Sequence, residues 1–320
     1  MKEITRTDWQ NLPVGYLSPT QVWDYISCPA CYEASRILRI PKPMSADLMV
    51  GRYAHAALAH MRSLFLIENK EPVFEQSVEV GSEAFDRVIS EQIDRDETGE
   101  ETPVEIELTK KYTDLGAAKD VAAKLTRYAL PLIAKWDLSA GVVATEARVR
   151  HLGTPLYGTR AAEHATPAEI EDWKQEAEEQ FVDGVEPCFP FAVRAYLDVL
   201  YANASMKDAK TAGKLGSPGT LAALQLLMYG MPWWMAGEPQ KLGWDVLVKT
   251  KNPNFAVYWI NGTGDVTDEQ YRYARWRVLA AADGICNGDF PPNDGSLFCK
   301  YDHGLPKGER AAMEDWAVPA

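Results

Sequence analysis

Asp208 and Lys210 stand two residues apart in "SMKDAKTAGK" (205–214), just after an apolar run, "FAVRAYLDVLYA" (191–202), that carries one carboxylate, Asp198. In an extended chain successive side chains alternate faces, so Asp208 and Lys210 point one way while Lys207 and Ala209 point the other. Asp198 interrupts a strand that otherwise reads as buried, and an ionised carboxylate there is costly unless it is paired or binds a cation. If "ANAS" (202–205) turns the chain, the two stretches form a hairpin that brings Asp198 close to Asp208. Two adjacent carboxylates repel unless a divalent ion lies between them, and hard oxygen ligands suit Mg²⁺ or Mn²⁺. Lys210 beside such an ion could orient or deprotonate an attacking water, or stabilise charge on a phosphorane-like transition state. The grouping can therefore hydrolyse a phosphodiester. Taken alone, the D-x-K tripeptide fits a salt bridge on a hairpin equally well.

The elements that must hold these groups can be read from the same sequence. Ser18, Pro19 and Gln21 form the pattern of a capping box, opening a helix that runs to about Cys28. The stretch 46–68 is rich in Ala, Leu and Met and predicts a second helix, with further helical patterns at about 109–136, 168–181, 217–236 and 267–287. Strands are predicted at 142–149, within 191–202 and within 244–260, the last interrupted by the turn "KNPN" (251–254). This order points to an α/β fold: a mixed central β-sheet flanked by helices, with a helical N-terminal part.

The net charge of −13 argues at first against a nucleic-acid partner, which a basic surface usually attracts. Its distribution alters that. Residues 91–107 carry −7 and residues 163–186 carry −8, leaving +2 on the remainder, which is free to form a basic groove. No run approaches the roughly 18 apolar residues of a membrane span, and "MKEITRTDWQ" lacks a signal-peptide core, so a cytoplasmic protein is expected. Five cysteines, unevenly placed, suggest reduced thiols or metal ligands in place of a disulfide framework.

Five motifs in order, "GRYAH" (51–55), Glu146, "AYLD" ending at Asp198, "DAK" (208–210) and "QLLMY" (225–229), resemble those of the PD-(D/E)XK nuclease superfamily. The RecB-type group, which includes CRISPR-associated and phage exonucleases, is the best match. The helix at 18–28 and "GDFPPNDGSLFCKYDHG" (288–304) are similar to that group's opening and closing segments, so the resemblance spans residues 17 to about 303. It implies a restriction-endonuclease-like core and one nuclease domain over 1–320, with a helical insertion at 69–137 and an acidic insertion at 160–188. It also implies that His55, Asp198 and Asp208 ligate Mg²⁺ or Mn²⁺ with the carbonyl of Ala209, while Lys210 positions the attacking water. Gln225 and Tyr229 would hold the DNA strand or the lysine, and Glu146 is a weaker ligand candidate. Ala195 replaces the glycine that the family's third motif carries. Lys214, beyond Gly213, reads as a phosphate contact on a loop.

In many RecB-type exonucleases four cysteines hold a 4Fe-4S cluster. Cys28 and Cys299 match two of them, but Asp302 and His303 follow where cysteines are expected. Three readings stay open: reduced thiols; an irregular cluster on Cys28, Cys31, Cys286 and Cys299; or zinc on Cys28, Cys31, Cys299 and His303. The expected function is a metal-dependent DNA exonuclease acting on single strands or duplex ends in recombination, repair or phage DNA processing. A recombinase or single-strand-binding protein would be its partner. The competing reading is a non-catalytic scaffold or DNA-binding member of the same fold.

Overall fold

Ser18 starts the first helix, α1 (Pro19–Ser27), its Oγ accepting the Gln21 N–H at 3.2 Å, with Pro19 in the first turn. Only this half of the predicted capping box forms, because Gln21 is buried and its Oε1 makes no hydrogen bond back to the cap. The molecule is a computed structural model that describes residues 12–13, 16–38, 40, 44–67, 72–91, 93–95, 101–103, 105–149, 156–159, 188–189, 191, 193–291 and 293. After α1 the chain continues through a short helical turn (Pro29–Tyr32) and a π-helical turn (Glu33–Ile37). It then forms α2 (Ala46–Ile67), α3 (Phe74–Glu91) and α4 (Leu115–Ala140). The helix expected at 168–181 and the acidic stretch 160–188, except Cys188, fall outside the described residues.

Among the described residues the central sheet has six strands: β1 (Val142–Val149), β2 (Leu156–Thr159), β3 (Tyr196–Tyr201), β4 (Ser205–Ala212), β5 (Lys241–Val248) and β6 (Asn254–Trp259). Their order is β6-β5-β4-β3-β1-β2, antiparallel throughout except for the parallel pair β4 and β5. That pair needs a crossover, supplied by α5 (Thr220–Met235). A further helix, α6 (Asp268–Cys286), has the complete capping box that α1 lacks, between Thr267 and Gln270. The expected mixed sheet flanked by helices is present.

Alternation along β4 and β5 sorts the two cores. Met206, Trp244 and Val246 join α1, α5 and α6 on one face, while Ala209 and Leu247 join α2, α3 and α4 on the other. The stretch 69–137 thus supplies two helices of the second layer.

Within that second layer lies a charge network that the sequence does not announce. Arg62 of α2 donates from Nε to Asp137 of α4 at 3.0 Å and from Nη2 to Asp245 of β5 at 2.9 Å. Asp245 also accepts from Lys207 of β4 at 2.5 Å, and Asp137 from the Tyr201 hydroxyl of β3 at 2.5 Å. All five side chains are buried, Lys207 lies over the rings of Trp136 and Tyr201, and two cations balance two carboxylates. Removing one member strands an opposite charge in the interior, so Arg62→Ala should lower unfolding stability by about 3–5 kcal/mol in urea denaturation.

Candidate active site

β3 and β4 form the expected hairpin, with Tyr201 opposite Ser205 and Val199 opposite Lys207, around a turn in which Ala204 has φ of +56°. The ladder ends at Val199 and Lys207. One residue further, the carboxylate of Asp198 takes over, its Oδ2 accepting the backbone N–H of Ala209 at 2.6 Å. The side chain therefore fills the place of a ladder bond and is fixed beside Asp208. Thr145 Oγ1 of β1 donates to the Asp198 carbonyl at 2.8 Å and holds the same residue from the other side.

His55 reaches this point from α2, its Nδ1 lying 3.6 Å from Asp198 Oδ2. Gly51, one turn earlier on the same face, explains how the helix comes so near: a Cβ there would stand 3.2 Å from Thr211 Oγ1 of β4. The spacing G-x-x-x-H is a close-approach residue followed, one turn on, by the group that the approach delivers.

Lys210 Nζ lies 2.7 Å from Asp208 Oδ2 and donates to Gln225 Oε1 of α5 at 2.9 Å, while Gln225 Nε2 donates to the Tyr229 hydroxyl at 2.6 Å. Gln225 and Tyr229 therefore hold the lysine through a chain along one helix face. The Lys210 ammonium engages the buried Oδ2 from one side, and a carboxylate oxygen has room to accept a second partner. Burial is the main cause that pushes the Asp208 carboxyl up to about 6. The Asp198 charge adds to it, and Lys210 and His55 pull the other way.

Glu146, the weaker candidate, joins the group. Its neighbours pair Thr145 with Val199 and Ala147 with Leu197, a register that sets Glu146 across from Asp198. Its φ of +47° is unusual for a non-glycine residue in a strand, a local strain of the kind found at functional sites. His55, Glu146, Asp198, Asp208, Lys210, Lys214, Gln225 and Tyr229 all line one cavity of about 800 Å³. Sequence reasoning missed Trp23 of α1 and Tyr196 of β3 in its wall. Pro19, Thr20 and Trp23 repeat at helical spacing and could have marked α1 as a wall.

The donor set fits a hard divalent cation. Among the described residues no three His, Cys, Asp or Glu side chains stand close enough to hold a metal as they are. Mg²⁺, however, binds through one or two carboxylates and completes its shell with water and phosphate oxygens. Asp208 Oδ2, in a cavity shared with Asp198 and Glu146, is such an oxygen site. Ala209 donates its backbone N–H toward β3, to Asp198 Oδ2, and in an extended strand the carbonyl of the same residue faces the same side. As for the cysteines, Cys28 ends α1, Cys31 lies in the short helical turn that follows, and Cys286 ends α6, which packs against α1. Cys299 and His303 are outside the described residues.

The sequence model of the PD-(D/E)XK nuclease superfamily matches residues 16–302. The chain belongs to that superfamily, and its activity class is that of a nuclease. No curated protein matches it. A crystal structure of a candidate exonuclease from Eubacterium rectale is similar over 100% of both chains, at 13% identity and a TM-score of 0.48, too distant to bear on the site. Superfamily members generally use divalent metals such as Mg²⁺ and act on DNA. Among the described residues no helix is long and apolar enough to cross a membrane.

Native Asp208 holds its proton more tightly than in the unfolded chain, where its value is 3.8. Stability should therefore be fullest below about pH 4 for this group and fall by about 3 kcal/mol as pH rises to about 6. Denaturant titrations across that window, without divalent ions, should show the fall in the native protein and its loss in Asp208→Asn.

Proposed function

We propose that the protein is a Mg²⁺- or Mn²⁺-dependent deoxyribonuclease that removes nucleotides from single strands or duplex ends. The observation that carries this reading is Lys210, held by Gln225 at 2.9 Å and set 2.7 Å from a buried Asp208. A surface salt bridge would need neither the burial nor the Gln225 and Tyr229 support.

Asp198, Asp208 and Glu146, with His55, would hold the cation, which when bound supplies Lewis-acid polarisation of the scissile phosphate and charge compensation at the leaving oxygen. Lys210 holds the attacking water by a hydrogen bond from Nζ and offsets negative charge that grows on the phosphorus oxygens. Gln225 and Tyr229 restrict the ammonium to one direction, so little reorganisation is needed when the substrate arrives. His55 Nδ1 stands 3.6 Å from the Asp198 carboxylate that the Ala209 N–H orients, so imidazole and carboxylate face the same cation. Lys214 on the rim meets a non-bridging phosphate oxygen.

The cavity of about 800 Å³ is of the size that encloses a small molecule or a few nucleotides of one strand, which supports action on strands and ends. Roles in recombination, repair or phage DNA processing, with a recombinase or single-strand-binding protein as partner, extend the same reading. The scaffold alternative is less favoured, since a carboxylate held at a cost in burial and a strained Glu146 are features a passive surface does not need.

Asp208→Asn should abolish Mg²⁺-dependent cleavage of a labelled oligonucleotide, and Lys210→Ala should slow it by about 10²–10³-fold, with circular dichroism unchanged. Unaltered rates in both variants would overturn the assignment. End-labelled and circular substrates decide between end-directed and internal cutting.

A further inference from the structure

Outside the catalytic grouping, the carboxyl end of the parallel pair β4 and β5 carries a row of lysines. It starts in the cavity wall with Lys210 and Lys214. Gly213, between them, lies beside Lys111: a Cβ on that glycine would be 3.7 Å from Lys111 Nζ. Lys111 and Lys249 converge on Asp47 at the start of α2, with Nζ to carboxylate distances of 3.0 and 2.9 Å, and Tyr112 donates to the same carboxylate at 3.0 Å. Lys249 is 8% exposed and also donates to the Asp47 carbonyl at 3.0 Å, so it neutralises the carboxylate from beneath. Lys111, 54% exposed, is then the surplus charge and faces solvent. Two residues beyond Lys249 comes exposed Lys251, whose carbonyl accepts from the ammonium of exposed Lys124 on α4 at 2.7 Å.

The row joins a loop after β4, a loop after β5 and the solvent side of α4. Its members are joined by contacts of a few ångströms or by one or two residues of chain, and Asp47 is the carboxylate engaged within it. In a chain of net charge −13, six lysines so connected to the cavity need a reason. Coulombic repulsion alone would scatter them. A polyanion that crosses them would repay their proximity.

We propose that this row is the path of the substrate's sugar-phosphate backbone outside the cavity: Lys111, Lys251 and Lys124 meet successive phosphates of the strand whose scissile bond lies by Asp208. The inference rests on the nuclease reading and names what that reading lacks, the residues that hold the uncut part of the strand. Because phosphates are alike, the contact is indifferent to base sequence. Lys111, Lys124 and Lys251 touch nothing in the catalytic grouping, so their role is in substrate retention.

The experiment compares the full chain with Lys111→Gln/Lys124→Gln/Lys251→Gln and with a charge-matched control, Lys119→Gln/Lys135→Gln/Lys241→Gln. Lys241 sits at the opposite end of β5, and Lys119 pairs with Asp86 on the α3 side. Binding of a fluorescent 20-nucleotide single strand is measured with Ca²⁺ across a salt series, and cleavage of the same strand and of a dinucleotide with Mg²⁺. The row variant should lose affinity, and its plot of log K against log salt should flatten by about 2, as expected for three lost contacts to a single strand. KM for the long strand should rise with kcat held, dinucleotide cleavage should not change, and the control should behave as the native chain. Equal behaviour of the two triple variants, with native cleavage intact, would overturn the path while leaving the nuclease reading in place. A native chain that neither binds nor cuts DNA would overturn both.

Discussion

Charge that cannot reach water must be balanced in place, and in this fold that requirement aligns the layers. Arg62, Asp137, Asp245 and Lys207 come from α2, α4, β5 and β4, and each loses its compensation if any one of those elements shifts. Arg62 lies seven residues after His55 on α2, hence on the same face two turns on, and Lys207 immediately precedes Asp208 on β4. The network therefore fixes the helix that delivers the imidazole against the strand that delivers the acid. β4 itself separates two kinds of electrostatics by its period of two: Lys207 points into a closed, neutral network, while Asp208 and Lys210 point into an open cavity.

The cavity side is held under strain that the closed side does not share. Asp208 keeps a carboxylate buried beside a second acid with one ammonium to offset it, and Glu146 keeps a backbone conformation that few side chains adopt. Both costs fall on residues proposed to hold a cation, whose charge would relieve the first and give the second a purpose. The support for Lys210 is of the opposite kind: Gln225 and Tyr229 satisfy one another along a helix turn and spend no strain.

Much of this was legible along the chain because it is local. The hairpin around 202–204, the shared face of Asp208 and Lys210, and the capping at Ser18 follow from turn residues, period-two alternation and first-turn chemistry. β1 matches its predicted bounds at 142–149, and α2, α5 and α6 fall within a few residues of theirs. The misses are non-local. No helical pattern marks out α3 at 74–91, and Gln21, which completes a capping-box pattern in sequence, is buried with its Oε1 unbonded to the cap. Trp23 and Tyr196 could not be assigned to the cavity until α1 was laid against the sheet.

Family and motif order are written along the chain from 51 to 229, and which residues share a strand face follows from a spacing of two. Tertiary structure alone decided that Lys207 and Asp245 annul each other, that Gly51 lets α2 approach β4, and that Asp198 replaces a ladder bond to Ala209. It also decided that lysines from positions 111 to 251 form one row. Partners so far apart in the chain meet only when apolar faces choose which helices cover which side of the sheet, and no local pattern encodes that choice.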